Sequence, residues 1–214
     1  MRLYGYWRSS ATWRVRIGLR IKGIDHEIVP VHLIRDGGEH RLPAHLARNP
    51  MGQVPVLEVV VGGQVVHLTQ SLAILGYLEQ VAPTPPLVPQ DPIRRAQAWA
   101  MAEVVNSGIQ PLQNLTVGRR VSALGGDVSA WNRAVIGDGL AALEVLAASA
   151  PGPFLGGEAP SIADCCLVPQ LYNARRFDVD LSGLGRLLEA EAACVALPAF
   201  QAAHPDVQPD AQPG

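Results

Sequence analysis

The sequence predicts an α/β domain followed by an all-helical domain. Strand and helix patterns alternate as far as residue 81, the stretch 82–92 holds five prolines, and strand signals vanish beyond it. A chain of 214 residues is long enough for two domains, because one domain commonly takes about 100 to 200 residues. We therefore expect an α/β domain over 1–81, a stiff linker over 82–92 and a helical domain over 93–214.

The first three elements are predicted to be a strand, a helix and a second strand. Residues 2–6 are mostly apolar or aromatic, and residues 27–33 are rich in β-branched side chains, as strands commonly are. Between them, residues 11–22 follow Ser9 and Ser10, and serine commonly caps the N-terminus of a helix. Such a unit pairs its two strands in parallel through a right-handed crossover.

Two further strands and a helix complete the first domain. Residues 54–59 predict a third strand that opens with a proline, and Gly62-Gly63 predicts a tight hairpin into a fourth strand over 64–68. Residues 71–81 then repeat apolar side chains at helical spacing. The order βαβ followed by ββα is that of a thioredoxin-like domain.

The second domain is predicted to consist of amphipathic helices rich in alanine, leucine and valine. These helices cover residues 91–124, 129–149, 161–177 and 184–196. Pro111 should kink or end the first of them, since proline cannot donate the helical hydrogen bond. The tail over 204–214, rich in proline, aspartate and glutamine, is expected to be an extended surface strap.

The composition excludes several classes of partner. The formal net charge is −2 and acidic and basic residues are mixed along the chain, so we expect no nucleic-acid partner. No apolar run reaches the roughly 18 residues of a membrane span, and we expect a soluble cytoplasmic protein without a membrane partner. The three cysteines suit a reducing compartment, and the six histidines show no spacing typical of a metal site.

Three short segments are candidates for a binding site. Arg8 to Arg14 places two serines at a predicted helix start, where backbone N–H groups and the helix dipole favour an anion or a thiolate. At Val54-Pro55, thioredoxin-like folds place a cis-proline, which exposes the preceding backbone for pairing with a peptide. Gln70-Ser71 offers an amide and a hydroxyl that could hold a carboxylate at the next helix start.

Each segment also has a purely structural interpretation. Ser71, and one of the two serines at 9 and 10, could simply cap a helix. Pro55 could be an ordinary trans-proline at a strand edge. The order and spacing of the three segments on one βαβββα frame favour the binding site.

Together, the three segments and the helical second domain resemble the glutathione S-transferase family, and within it the zeta class. The resemblance runs nearly end to end. It is carried by Tyr6–Ser10, Trp13–Ile17, Leu33–Gly38, Asn49–Met51, Gln53–Pro55, Gln70–Ile74, Gly108–Leu115 and Gln208–Asp210.

The resemblance implies that glutathione is the cofactor and that Ser10, Ser9 and Arg8 form the catalytic group. Ser10 would assist the glutathione thiolate. The class motif has cysteine where this chain has Ala11. The working sulfur is therefore expected to belong to glutathione, and redox side reactions through a protein thiol at this position are disfavoured.

The resemblance also implies five further residues that bind glutathione. Val54 would pair with the tripeptide backbone, and Gln70 and Ser71 would hold its γ-glutamyl end. His40 and Asn114 fall where the class has other contacts, although Asn114 could equally be an amide satisfied within the helix bundle.

The implied substrate is a cis diacid with a neighbouring ketone, which requires arginines for its carboxylates. Arg8 and Arg176 would bind it, whereas Arg175 has no assigned role. Arg176 could instead complement the dipole at a helix C-terminus. Ser161 to Asp164 resembles the family's N-capping box and is assigned to stability. The resemblance further implies a homodimer.

The expected reaction is glutathione-dependent cis–trans isomerisation of a maleyl diacid, from maleylacetoacetate to fumarylacetoacetate. The thiolate would add to the double bond, loop N–H groups and Arg8 would stabilise the enolate, and elimination after rotation would return glutathione. Two enzymatic alternatives use the same groups: isomerisation of maleylpyruvate, and glutathione transfer to small α-haloacids or their dehalogenation. A non-enzymatic binding module is the remaining alternative.

Overall fold

The computed structural model describes residues 1–212, and the contacts among residues divide the chain into two compact units. One unit comprises Met1–Leu87 together with the segment that begins at Pro198, and the other is Val88–Leu197. The sequence-based division instead assigns everything from residue 93 onward to the helical domain. The two divisions therefore differ over the C-terminal segment.

The first unit is built on a four-stranded mixed sheet. Its regular elements are β1 (Arg2–Gly5), α1 (Ser10–Ile21), β2 (Glu27–Pro30), α2 (Pro43–Leu46), β3 (Val56–Val61), β4 (Gln64–Thr69) and α3 (Ser71–Val81), with short 3₁₀ segments at Arg35–Gly37 and Glu39–Arg41. The strand order is β2-β1-β3-β4, in which β1 and β2 are parallel and the other neighbours are antiparallel. The thioredoxin-like prediction is confirmed.

Two strands differ from the predicted bounds because prolines interrupt the pairing. β2 ends at Pro30, which pairs with Gly5 at the last position of β1, whereas the sequence predicts a strand as far as residue 33. β3 begins at Val56, opposite Tyr4, and not at residue 54. Proline has no N–H to donate, so it commonly lies where a ladder begins or ends.

The first part of the proline-rich stretch belongs to the first unit. Lys22, at the end of α1, is buried and its Nζ donates to Glu79 Oε2 and to the carbonyl of Pro85, both at 2.6 Å. The backbone N–H of Leu87 donates to the same oxygen of Glu79 at 2.8 Å. These bonds fasten residues 85–87 to α1 and α3.

The second unit is helical. It contains α4 (Pro92–Glu103), which continues as a π-helical segment Val104–Ile109, then α5 (Leu115–Ala123), α6 (Val128–Ala147), α7 (Ile162–Arg176) and α8 (Gly185–Val195). The predicted break at Pro111 is confirmed, since the first helical stretch ends before it and α5 begins after it. Across residues 1–212, every helix is too short or too polar to traverse a lipid bilayer.

The predicted capping box opens α7. Ala163 N donates to Ser161 Oγ at 3.2 Å, and Ser161 N donates to Asp164 Oδ2 at 2.7 Å. Asp164 is fully buried and also accepts from the backbone N–H of Leu155 and of Gly156. Burial raises the pKa of Asp164, and these hydrogen bonds oppose the rise. The predicted structural role of this motif is confirmed.

The C-terminal segment packs on α1 and belongs to the first unit. It forms α9 (Pro198–Ala203), which the sequence patterns did not predict, and then a 3₁₀ turn at Pro205–Val207. The buried Arg16 of α1 donates from Nε to the carbonyl of Ala203 at 3.1 Å, which gives the physical reason for this placement. The strap predicted over 204–214 is described as far as residue 212, and its last two residues lie outside the described part.

Candidate active site

The start of α1 separates the roles of the two serines. Ser9 is the N-cap, and its Oγ accepts a hydrogen bond from Thr12 N at 3.3 Å. Its own N–H donates to the carbonyl of Tyr6 at 3.0 Å, which closes a tight turn before the helix. Ser10 is the first helical residue. The capping role therefore falls to Ser9, and Ser10 lies where the helix dipole favours an anion.

The turn before α1 also carries Arg8. The Arg8 guanidinium carbon lies 5.1 Å from the centre of the Trp7 ring, a cation–π distance, and the residue is partly buried. Trp7 itself is buried. Gly5 allows β1 to approach α1, because a Cβ at that position would lie 2.2 Å from the methyl carbon of Thr12. A buried aromatic ring thus supports the Arg8 side chain next to Ser9 and Ser10, the residues predicted to bind the thiolate.

The peptide bond between Val54 and Pro55 is cis. The Val54 side chain packs against an apolar cluster formed by Tyr4, Val31 and Val56. Ahead of it, two buried side chains hold the carbonyl oxygen of Gln53: Asn49 Nδ2 donates to it at 2.8 Å, and His45 Nε2 lies 2.9 Å from it. The backbone on the N-terminal side of Val54 is therefore rigidly placed.

Gln70 adopts a strained backbone conformation at the start of α3. Its φ is 65° and its ψ is 116°, in a region that non-glycine residues occupy at a cost of order 1–3 kcal/mol. The residue is exposed, and its Nε2 donates to Met51 Sδ at 3.7 Å. Backbone strain of this kind clusters at ligand-binding positions, which accords with the predicted role of Gln70.

Ser71, the next residue, is bonded to a buried arginine. Arg14 is fully buried in α1, one turn after Ser10, and its Nη1 donates to Ser71 Oγ at 3.3 Å. Because Ser71 Oγ accepts this bond, its own hydrogen can be donated to a ligand. A guanidinium charge and the N-terminus of α3 thus act on the same hydroxyl, and both favour a bound carboxylate.

His40 lies in the 3₁₀ segment before α2. It lies next to Gly38, where φ is +99° and a Cβ would be 2.7 Å from the carbonyl oxygen of Leu33, so glycine is required there on both grounds. Burial lowers the pKa of His40 below its usual value, the Arg41 charge acts in the same direction, and a hydrogen bond to the His32 backbone opposes them. The lowered pKa favours the neutral ring, which can contact a ligand through hydrogen bonding.

The predicted site residues of the second unit have mostly structural contacts. Asn114 is the N-cap of α5, and its Oδ1 accepts from Thr116 N at 2.9 Å. Its neighbour Gln113 exchanges two amide hydrogen bonds, of 3.0 and 3.1 Å, with the buried Gln170. This part of the Gly108–Leu115 motif thus caps one helix and joins it to another, and the glutathione contact of Asn114 stays a prediction.

The two arginines at the end of α7 have different partners. Arg175 makes a bidentate ion pair with Glu191 of α8, in which the Nη1–Oε1 distance is 2.6 Å. Arg176 donates to the amide oxygen of Asn173 at 3.2 Å, and its guanidinium carbon lies 5.9 Å from the Phe177 ring centre. The charge of Arg175 is already matched by a carboxylate within the unit.

Comparison with known proteins identifies the family. Residues 1–80 match the N-terminal domain of glutathione S-transferases, and residues 119–207 match the C-terminal domain. The chain belongs to the glutathione S-transferase family. The maleylacetoacetate isomerase of the mouse, Mus musculus, is 46% identical over 208 residues, which cover 97% of this chain and 94% of the mouse protein.

Solved structures place this glutathione S-transferase in the zeta class. A maleylacetoacetate isomerase from Anaeromyxobacter dehalogenans 2CP-1, with glutathione bound in its active site, is 52% identical with a TM-score of 0.91, over 99% of this chain and 97% of that one. Another structure of that enzyme holds dicarboxyethyl glutathione and citrate. A bacterial zeta-class maleyl pyruvate isomerase is 39% identical with a TM-score of 0.91, over 99% of this chain and 100% of the other.

Sequence reasoning gave no role to three residues that support the glutathione S-transferase site. Arg14 and Asn49 lie inside segments that carry the family resemblance, but the resemblance assigned no role to either residue. His45 lies outside those segments, and only the fold shows that its ring reaches the Gln53 carbonyl. All three are buried polar side chains that fix a hydroxyl or a backbone group next to a predicted ligand contact.

Proposed function

We propose that this zeta-class protein is a glutathione-dependent isomerase that converts maleylacetoacetate into its trans isomer, fumarylacetoacetate. Two relatives named maleylacetoacetate isomerase support the proposal. The mouse protein is 46% identical and the Anaeromyxobacter structure 52% identical, each over nearly the whole chain. The single structural observation that carries it is the hydrogen bond between Arg14 and Ser71, which joins two helix starts suited to the anionic ends of glutathione.

The residues of the first unit fit glutathione. Ser71 can donate its hydroxyl hydrogen to the γ-glutamyl carboxylate, with the Arg14 charge behind it. Gln70 adds an amide from its strained position, and the rigid backbone at Val54 is suited to pairing with the tripeptide. His40 would contribute a hydrogen-bonding ring nitrogen. These assignments agree with the chemistry of the side chains and of the helix starts on which they lie.

Bound glutathione supplies a thiolate that adds reversibly to the cis double bond, so that rotation can occur before the thiolate leaves. We assign Ser10 the task of donating its hydroxyl hydrogen to that thiolate, because a hydrogen bond to the charged form lowers the thiol pKa. Arg8 and the backbone N–H groups of the turn would stabilise negative charge on the ketone oxygen of the substrate. Ser9 would act through the helix cap that places Ser10.

Arg176 is the proposed ligand of a substrate carboxylate. Arg175 is in a bidentate ion pair with Glu191, and this contact supports the assignment of the substrate role to Arg176. The related Anaeromyxobacter enzyme accommodates dicarboxyethyl glutathione, a ligand that combines glutathione with a dicarboxylate. A diacid substrate is consistent with that ligand.

Maleylpyruvate isomerisation is the second candidate, because the similarity to a maleyl pyruvate isomerase extends over the same length of chain. It requires the same thiolate and the same carboxylate ligands. The lower identity, 39% against 52%, favours maleylacetoacetate.

Turnover of the two maleyl substrates, each with and without glutathione, tests the reaction. We expect isomerisation only with glutathione, and a kcat/KM for maleylacetoacetate at least about tenfold above that for maleylpyruvate, the discrimination that a small change in substrate shape commonly gives. The measurement is the ultraviolet absorbance change of each substrate. A preference for maleylpyruvate would replace the proposed substrate, and the absence of turnover on both would refute the isomerase.

Replacement of Ser10 by alanine should lower kcat/KM about 10- to 100-fold, because a hydrogen bond to a charged group contributes about 1.5–3 kcal/mol. Steady-state kinetics with saturating glutathione measure this change. Ser129→Ala is a matched control, since Ser129 lies in the first turn of α6 and is exposed. Full activity of Ser10→Ala would remove Ser10 from the mechanism.

Replacement of Arg176 by methionine should raise the KM for the diacid about 10- to 100-fold through loss of a charged hydrogen bond, with little change in the KM for glutathione. The matched control, Arg175→Met, removes the ion pair with Glu191 and should leave the KM for the diacid near that of the parent. If the two variants exchanged these phenotypes, Arg175 and not Arg176 would bind the substrate.

We also propose that the protein is a cytoplasmic homodimer. Val60 and Val65, which pair across β3 and β4, are 68% and 57% exposed, and apolar surface of this kind is typical of interfaces. All three cysteines, Cys165, Cys166 and Cys194, are buried and none is part of a disulfide bond, which suits a reducing compartment.

Sedimentation velocity should give twice the chain mass of 22.8 kDa. Val65→Glu should shift the population toward the monomer, because a charge in a desolvated apolar interface is strongly unfavourable. Leu124→Glu is the control, since Leu124 is an 88% exposed leucine of the second unit. A monomeric parent protein would refute the dimer.

A further inference from the structure

The motif Gln208–Asp210 carries part of the family resemblance, and the site described above does not use it. In the structure Asp210 Oδ2 accepts a hydrogen bond of 2.9 Å from the backbone N–H of Trp7. Trp7 lies in the turn that delivers Arg8, Ser9 and Ser10 to the start of α1. The C-terminal segment thus contacts the thiol-binding turn directly, across 203 positions of sequence.

The carbonyl of Trp7 is held as firmly as its N–H. Arg16 Nη2 donates to this carbonyl oxygen at 2.8 Å, and Arg16 Nε donates to the carbonyl of Ala203 in α9 at 3.1 Å. Both main-chain polar groups of Trp7 are therefore bonded to side chains, one from the tail and one from a residue that is itself bonded to α9. This arrangement fixes the orientation of the peptide groups on either side of Trp7.

The opposite charges of Arg16 and Asp210 also stabilise the contacts on the two sides of Trp7. Arg16 is only 2% exposed, and its burial lowers its pKa to about 10, while the Asp210 carboxylate raises it. The guanidinium remains charged at pH 7, and Asp210 is the acidic group that offsets its burial. The Asp210 carboxylate therefore both accepts from Trp7 and stabilises the cation that binds the other side of Trp7.

The tail is itself anchored before it reaches Trp7. Gln208 is 8% exposed, and its Nε2 donates to the carbonyls of Ala202 at 3.2 Å and His204 at 2.8 Å. The His204 ring packs edge-to-face on Trp13 of α1, with ring centres 5.2 Å apart. Gln208 thus fastens the tail to the end of α9, two residues before Asp210.

We propose that the Gln208–Asp210 segment is a positioning element for the thiol-binding turn, in which Asp210 orients the Trp7 backbone and so places the Ser10 hydroxyl on the glutathione sulfur. Asp210 is a positioning residue and not a catalytic one. The inference rests on the proposed binding of glutathione at the start of α1. Small displacements of a catalytic group have large effects, since an error of about 1 Å can cost on the order of 100-fold in rate.

Asp210→Ala tests this role in the full-length protein. We expect the thiol pKa of bound glutathione, followed by thiolate absorbance against pH, to rise by about one unit and kcat at pH 7 to fall about tenfold. The dissociation constant of glutathione should change less than about threefold, because Ser71 and Gln70 hold its other end. Raising the pH should restore much of the lost kcat.

Two variants separate positioning from general stability. Asp210→Asn keeps an oxygen that can accept from Trp7 but removes the charge that offsets the burial of Arg16, so its thiol pKa and kcat should lie between those of the parent and those of Asp210→Ala. Asp206→Ala removes an exposed carboxylate from the same tail and should match the parent in both. A merely structural role for Asp210 would lower the active fraction and the melting temperature without moving the thiol pKa.

Backbone amide exchange at Trp7 provides a readout that does not involve glutathione. It should accelerate at least about tenfold in Asp210→Ala, because the N–H loses its acceptor. Should Asp210→Ala fail to fold, Gln208→Leu replaces it, because this substitution releases the tail from α9. Its thiol pKa, kcat and Trp7 amide exchange should change in the same directions by smaller amounts. An unshifted thiol pKa and unchanged Trp7 exchange in the folded variant would overturn the positioning role. A parent protein with normal Trp7 protection but no glutathione binding would instead overturn the proposed function.

Discussion

Two guanidinium groups buried in α1 constrain the first unit. Arg14 and Arg16 are 0% and 2% exposed, and a buried charge is tolerated only where protein groups replace its hydration. Arg14 is bonded to the hydroxyl of Ser71, and Arg16 to the carbonyls of Trp7 and Ala203. The start of α3, the turn before α1 and the C-terminal segment are thereby all placed relative to one helix.

This arrangement suits a reaction in which both the cofactor and the substrate are anions. The first turn of α1 carries no acidic residue, and the helix dipole there favours a thiolate. At the start of α3 the buried charge of Arg14 adds to the dipole, and Gln70 is held in a strained conformation. Positive potential is therefore supplied by backbone groups and by a cation that is already fixed before any ligand arrives.

The second unit uses most of its polar motif residues for its own structure. Asp164 completes a buried capping box, and Gln113 pairs with Gln170. Arg175 is matched by Glu191. The arginine that follows it, Arg176, donates to the neutral amide of Asn173 and is the residue we assign to the substrate. The two adjacent arginines thus have different contacts within the unit, and the family resemblance had already assigned the substrate to Arg176.

Local patterns in the sequence determined the elements of this protein. Alternation, helical spacing, the hairpin glycines, Pro111 and the capping box act over a few residues, so the four strands and most of the long helices could be predicted with errors of only a few positions, such as the proline-limited ends of β2 and β3. The motif resemblance also predicted that the turn before α1 and Gln70-Ser71 bind glutathione. The sequence did not show which of Ser9 and Ser10 caps the helix, since both are good capping residues.

Only the tertiary structure decided which residues support the site. The bonds from Arg14 to Ser71 and from Asp210 to Trp7 span 57 and 203 positions, and no local spacing encodes them. For the same reason the residues from 198 onward were predicted to belong with the helices that precede them, although the buried charge of Arg16 holds α9 on α1. Secondary structure follows from neighbouring residues, whereas the partners of a buried charge depend on the whole fold.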